Sequence, residues 1–318
     1  MGRDDLINTA RAILARAGFD ISPSLNLRSV CFDVVGRKGT TLLIIKILSN
    51  IDAFSRENGD EMKILADALG ASPILIGERS SSGALEPGIV YSRFGIPIIS
   101  NDTLADHLLD EVPPFIFAAP GGLYVKLDSD MLREVREKHG VSLGTLAEMA
   151  GVSRRTIQMY ESGMGAMIDA AMRLEEFLGV PIITPVDPFL YKRDDHARRD
   201  YEIMGKERTD SQTLNILLDI GFSVTPISRS PFDALTKNDK MVILTGLGAD
   251  DERVIQKAAV VSDISRLSGR YSVVIVDRAR GLEHVRTTAI VTKDEISKMD
   301  DQSELTDLVL ERSAKNES

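Results

Sequence analysis

At 318 residues, 43% of them hydrophobic, the chain is long enough for two domains or three small ones, each with a packed core. A single cysteine, Cys31, and four scattered histidines exclude a disulfide framework, a thiolate metal cluster and a structural zinc. The net charge of -10 excludes a general nucleic-acid coat protein, because nonspecific affinity comes from Lys and Arg neutralising phosphates. The opening MGRDDLINTA lacks the apolar core of a signal peptide, and apolar runs such as Thr41–Ile45 fall far short of the ~20 residues of a membrane span. A cytoplasmic protein with no membrane partner is expected.

In chain order, Asp4–Ala17 reads as an amphipathic helix with Leu6, Ala10, Ile13 and Leu14 on one face and Gly18 as its stop. Cys31–Val35 and Thr41–Leu48 read as strands joined by a hairpin-type turn over Gly36–Gly39. Asp52–Leu69 reads as a helix and Pro73–Gly77 as a short buried strand. Ser80–Gly88 is a loop, and Ile96–Ser100 is extended before Asn101 caps a helix through Leu109.

Asp130–His139 begins a helical region. In Val141–Gly163 (VSLGTLAEMAGVSRRTIQMYESG), Ser142 N-caps a short helix carrying Leu146, Ala147 and Met149. Gly151 supplies the left-handed residue of a tight turn, and Ser153 caps a second helix. There Ile157 and Tyr160 share one face, while Arg155, Gln158, Met159 and Ser162 point away, with Arg154 beside them. Met167–Leu178 follows as a helix with Leu174, Phe177 and Leu178 on one side. Two short helices crossing through a Gly turn form the unit that lays its second helix in a DNA major groove. This stretch resembles the Cro/C1 family of helix-turn-helix domains, with Ala147 four residues before the turn Gly and Ile157 six after it. The resemblance implies double-stranded DNA as partner and Ser153, Arg154, Arg155, Thr156, Gln158, Met159 and Ser162 as the DNA-binding residues. The domain is near neutral, so the acid lies elsewhere, and binding is expected to depend on base contacts or on a homodimer.

Pro181–Pro188 leads into the mixed-charge run Tyr191–Arg208, a solvated linker or, through Lys192, Arg193, Arg198 and Arg199, a DNA-backbone arm. The first pattern then returns. Asn215–Pro226 (NILLDIGFSVTP) echoes Ala12–Pro23 (AILARAGFDISP), and Phe232-Asp233-Ala234, Met241–Leu244 and Ser272–Val276 each follow their counterparts by 200 residues. Ile290–Asp294 resembles Ile98–Asp102. Colinear matches of this kind point to internal duplication.

Each half thus orders a helix, a strand bearing Asp33 or Asp233, a hydrophobic strand, a helix and a further strand. This order resembles the restriction-endonuclease-like fold, whose first strand carries a metal-binding Asp and whose next carries Glu/Gln-x-Lys. Here that tripeptide falls on Ile44-Ile45-Lys46, and the second half has Gly246 at the Lys position. One carboxylate is too few to organise Mg²⁺. Asp33 is therefore read as structural, Lys46 as snorkelling to water, and no catalytic residue, metal or cofactor is expected. The Gly-rich turn Thr245–Gly248 is half of a phosphate-binding fingerprint and reads as a turn without ligand.

The expectation is a multi-domain chain: two α/β domains of nuclease-like topology flanking an all-α Cro/C1-type helix-turn-helix domain. The boundaries read as 1–122, 123–190 with the motif at 143–162, a charged linker at 191–208, and 209–318. The whole resembles a family of archaeal transcriptional regulators in which nuclease-like domains flank the DNA reader. The resemblance implies a non-enzymatic, sequence-specific DNA-binding regulator, dimeric, with any small-molecule effector unspecified. The alternatives are a helix-turn-helix-targeted metal-dependent nuclease and a protein-binding scaffold.

Overall fold

The computed structural model describes residues 2–25, 30–191, 205–248, 253–279 and 281–314. Helix α1 (Arg3–Arg16) buries Leu6, Ile7, Ala10, Ile13 and Leu14, and the chain leaves it through Gly18 at φ 84°. Strands β1 (Asp20–Ile21), β2 (Val34–Lys38) and β3 (Thr41–Asn50) pair antiparallel in that order, with Val34 opposite Ile45 and Lys38 opposite Thr41. The strand expected over Cys31–Val35 therefore starts later, and the turn falls on Gly39 and Thr40. Gly36 lies inside β2 opposite Leu43, where the side chains of Phe19 and Ile21 approach the place a Cβ would fill to 3.5 and 3.6 Å. These are ordinary contacts, and the glycine lies in the strand and not in the turn.

After a 3-10 turn at Ile51–Ala53, α2 (Arg56–Leu69) begins behind its N-cap Ser55 and ends at Gly70. Strands β4 (Ser72–Ser80), β5 (Gly83–Ala84), β6 (Ile89–Arg93) and β7 (Ile96–Ile99) follow; β4 runs parallel to β7, and β6 antiparallel to it. Helix α3 (Asn101–Leu109) is capped by Ser100, one residue before the expected Asn101. A hairpin of β8 (Ile116–Ala119) and β9 (Gly122–Leu127) extends this sheet from β6.

The helical region comprises α4 (Ser129–Lys138), α5 (Leu143–Ala150), α6 (Arg154–Tyr160) and α7 (Ile168–Leu178). Strands β10 (Ala166–Met167) and β11 (Ile183–Thr184) both pair with β9 and tie the helices to that sheet. Leu174 and Leu178 enter the helical core, whereas Phe177, expected beside them, is 37% exposed because it projects from the flank of α7.

The C-terminal half runs α8 (Gln212–Asp219), β12 (Ser223–Pro226), β13 (Ala234–Lys237), β14 (Val242–Leu247) and α9 (Arg253–Ser268). It continues through β15 (Tyr271–Val276), β16 (His284–Val285), β17 (Thr288–Thr292), α10 (Lys293–Ile296) and α11 (Gln302–Ala314). The sheet order is β12-β13-β14-β15-β17-β16. One face packs Leu214 and Leu217 of α8 with Leu305 and Val309 of α11, and the other packs Val254 and Ala258 of α9.

The two halves share pairing order and sense. β1-β2-β3 and β12-β13-β14 are both antiparallel throughout, and β4-β7-β6 and β15-β17-β16 both go parallel, then antiparallel. Backbone strain repeats as well. Phe94, at φ 53°, lies two residues before β7, and Arg286, at φ 51°, lies two before β17. These matches bear out the expected duplication of topology.

By spatial proximity the described residues of 1–2, 48–52 and 74–190 form one compact unit, and those of 3–47, 53–73 and 191–318 a second. The segment expected as the first α/β domain thus contributes to both. Residues 123–190 belong wholly to the first unit and 209–318 wholly to the second. Within the second unit, Arg37 donates to the carbonyl of Leu267 at 2.9 Å, and Glu61 accepts from the main-chain N–H groups of Ser228 and Arg229. No helix among the described residues is long and apolar enough to cross a membrane.

Candidate nucleic-acid interface

The turn between α5 and α6 is built from local chemistry. Ser142 Oγ accepts from Thr145 N–H at 3.1 Å and starts α5. Gly151, at φ 71°, ends it, and the N–H of Val152 returns to the Ala147 carbonyl at 2.9 Å, a left-handed stop that a side chain would strain. Ser153 then caps α6 by accepting from Thr156 N–H at 3.1 Å. Its hydroxyl also meets that of Thr156 at 2.8 Å.

Packing sets which way α6 faces. Ile157 and Tyr160 are buried with Leu132, Leu146, Ala147, Ala171 and Leu174. Burial also raises the Tyr160 phenol above its ordinary range, as the ring lies in this core. The opposite face leaves Arg154, Arg155, Gln158 and Met159 exposed, as the spacing predicts. Thr156 is half-buried. Ser162 lies just past the helix and donates its hydroxyl to the Gln158 carbonyl at 2.8 Å. Arg154 is folded back over the first turn of α5: a Cβ built on Gly144 would lie 2.7 Å from its Nε and Nη2.

Two other cations of the region, Arg133 and Arg136, are already engaged. Arg136 of α4 grips both carboxylate oxygens of Glu161, the buried C-cap of α6, through Nε and, at 3.1 Å, Nη2. Arg133 donates to the Glu161 carbonyl, and Ser129 Oγ to that of Tyr160 at 2.6 Å. The sequence reading did not single out Glu161. The available signal was Arg136, placed four residues after the buried Leu132 on the inward face of α4, which calls for a buried acid. Lys192, Arg193, Arg198 and Arg199, the alternative DNA arm, lie outside the described residues.

The nuclease-like positions form a different kind of site. Asp33 is fully buried; its Oδ1 accepts from Arg3 at 2.7 Å and Lys46 at 3.1 Å, and its Oδ2 accepts from Ile47 N–H at 2.8 Å. Lys46 does not snorkel: its side chain is 9% exposed and its ammonium turns inward to Asp33 and the Val30 carbonyl, because paired charge overrides the pull of water. A divalent cation needs several oxygen ligands, and this set offers one carboxylate already held by two cations beside apolar Ile44. The residues do not fit a metal. Among the described residues no group of three His, Cys, Asp or Glu side chains is arranged to hold one. At the Gly-rich turn, Leu247 N–H donates to Asp233 and Gly248 N–H to the Ile275 carbonyl, so neither amide is open to a phosphate.

Two family models match the chain: a PD-(D/E)XK superfamily domain over residues 3–114 and a helix-turn-helix over residues 132–183. A protein of Methanocella arvoryzae is 40% identical over 318 residues, spanning 99% of this chain and 98% of its own length. One of Haloarcula marismortui is 40% identical, spanning 98% of both chains, and one of Methanosarcina mazei is 38% identical, spanning 100% of both. All three bear the name "Putative HTH-type transcriptional regulatory protein". No solved structure matches the chain.

Proposed function

We propose that this chain, which belongs to the archaeal family of HTH-type transcriptional regulatory proteins, is a cytoplasmic regulator that reads a specific double-stranded DNA sequence through α6 as a homodimer. The observation that carries this reading is the exposed row of Arg154, Arg155, Gln158 and Met159, opposite a buried Ile157 and Tyr160, on a helix entered through a capped Gly turn. An Arg fork suits guanine O6 and N7, and a Gln amide suits adenine N6 and N7, so Arg155 and Gln158 are assigned to base edges. Arg154, folded toward α5, suits a phosphate, and Ser153, Thr156 and Ser162 stand beside the backbone where they fix register.

A helix of seven residues reaches few base pairs, so two copies on half-sites about 34 Å apart supply the remaining specificity. The α/β parts then serve dimerisation or ligand sensing. Catalysis forms no part of this reading. The caged Asp33 and apolar Ile44 favour a chain that leaves plasmid DNA intact in Mg²⁺ or Mn²⁺; metal-dependent cleavage abolished by Asp33→Ala would support the nuclease alternative instead. Binding-site selection with purified protein tests the main claim. It should return a two-fold symmetric site whose affinity falls on combined Arg154→Ala and Arg155→Ala substitution. Undiminished specific affinity in the folded double variant would transfer the chain to the scaffold reading.

A further inference from the structure

We infer that the C-terminal half binds a small phosphate ester carrying vicinal hydroxyls, a sugar phosphate or mononucleotide, in a cleft of about 620 Å³ at one end of its sheet. That volume suits a ligand of this size. The site gives content to the ligand sensing assigned above to the α/β parts, yet binding there holds or fails apart from DNA reading by α6.

The cleft lies where three parallel strands end. β14, β15 and β17 run side by side in one direction; Leu247 closes β14, Asp277 follows β15 and Lys293 follows β17. Open sheets take their ligands outside the carboxyl ends of such strands. Ser211, Gln212 and Thr213, the cap and first turn of α8, line the same cleft. Asp233 and its partner Lys257 are not part of the lining.

Three donors in that first turn are open. Ser211 Oγ accepts from Leu214 N–H at 3.4 Å and the Ser211 carbonyl from Asn215 N–H at 3.0 Å, which leaves the N–H groups of Gln212 and Thr213 without a partner among the described residues. The Thr213 hydroxyl is likewise unpartnered there, although the residue is only 6% exposed, and a buried hydroxyl without a partner is destabilising. Two amides and a hydroxyl at the positive end of a helix suit the oxygens of a phosphate. The Lys293 ammonium supplies counter-charge. Asp277 Oδ1 holds it at 2.6 Å in a pair whose side chains are 43% and 57% exposed, so little stability opposes its turning to a ligand. Asp277 Oδ2 accepts from no described residue, and a carboxylate oxygen of this kind suits hydroxyl donors.

The N-terminal half has closed the corresponding place. Gly77, 200 positions before Asp277, lies inside β4, where a Cβ would meet Ile51 Cγ2 at 2.4 Å and Leu85 Cδ1 at 3.0 Å. Asn101 opens α3 behind Ser100 as Lys293 opens α10 behind Thr292, and Asn101 is buried. The charged pair and the open cleft are thus particular to the second half and not part of the repeated frame.

Isothermal titration calorimetry of the full chain tests the site with ribose 5-phosphate, the common ribonucleoside monophosphates, their 2′-deoxy counterparts and inorganic phosphate. At least one ribose ester should bind about tenfold tighter than inorganic phosphate, and the better class tells sugar phosphate from mononucleotide. Lys293→Ala should weaken that ester about tenfold, and Asp277→Asn should erase the preference for ribose over deoxyribose. Thr213→Val keeps the shape and deletes the unpartnered hydroxyl, so it should melt no lower than wild type while weakening binding about threefold or more. No ester binding at millimolar concentration, inorganic phosphate binding as tightly as every ester, or affinity unchanged in both Lys293→Ala and Thr213→Val overturns the inference. Each of these failures would leave the reading of α6 standing.

Discussion

Removing the Glu161 carboxylate should loosen α6 without altering its exposed face. Glu161 is 8% exposed and receives both arms of the Arg136 guanidinium, whose hydrogen bonds to that carboxylate hold it above even its usual range. Glu161→Ala would leave the guanidinium, 13% exposed, facing the core of the helical region with the exposed Glu137 carboxylate at 3.3 Å and the Val141 carbonyl at 3.5 Å as its remaining partners. Breaking a buried pair by removing one partner costs about 3 to 5 kcal/mol, and the residual Glu137 contact places this case near the lower end. A loss of about 3 kcal/mol corresponds to a roughly hundredfold rise in local opening. With no tryptophan to report, hydrogen exchange of the α4–α6 amides is the direct assay, supported by urea unfolding under far-UV circular dichroism. Glu161→Met with Arg136→Met removes both charges and should regain much of the loss. If the two single losses simply add in the double variant, the ion pair does not hold α6, and the argument from burial is wrong.

Arg155→Ala should cost ~1 to 3 kcal/mol of specific affinity and relax preference at one base position, whereas Arg154→Ala should weaken all sequences alike and lower the salt slope by about one; interchanged outcomes would reverse the two assignments. Gly144→Ala should raise helix stability by up to about 1 kcal/mol while pushing the Arg154 guanidinium aside, so tighter folding with weaker DNA binding is expected from melting and titration. Gly77→Ala places a Cβ 2.4 Å from the buried Ile51 Cγ2 and should destabilise by about 1 to 3 kcal/mol in chemical unfolding. Burial disfavours the charged form of Glu295, but hydrogen bonds from Arg312 and from Thr292 outweigh it and hold the carboxyl below the usual glutamate range. A depressed folded value means stability present above the unfolded value and lost as pH falls through the folded one. Glu295→Gln should therefore flatten the acid limb of the stability profile, and an unchanged limb would count against the link.

The helix-turn-helix was legible because its determinants are local: two serine caps, one left-handed glycine, and apolar residues at i and i+3 lie within about two dozen positions. The repeat was legible for a related reason, since buried strands such as Thr41–Leu48 and Ser272–Val276 are mostly apolar strings. Strands β6, β8 and β9 were missed because their faces are mostly half-exposed, so alternation is faint. The inward turn of Lys46 and the pairing of Lys257 with Asp233 are tertiary facts; 24 residues of chain separate the latter partners, and no periodicity connects them. Glu161 escaped for the same reason, its guanidinium partner arriving from 25 residues away.

That Arg133 and Arg136 are spent on Glu161 bears on how the protein would search a genome. Bulk DNA is a sink whose depth is set by free cations, and each phosphate neutralised lengthens a protein's dwell on irrelevant sequence. A helical domain that turns the Arg136 guanidinium inward and ties Arg133 to a main-chain carbonyl would slide little and leave quickly. More of its copies would stay free in solution between encounters, and occupancy of the operator would then follow protein concentration closely instead of being buffered by the chromosome.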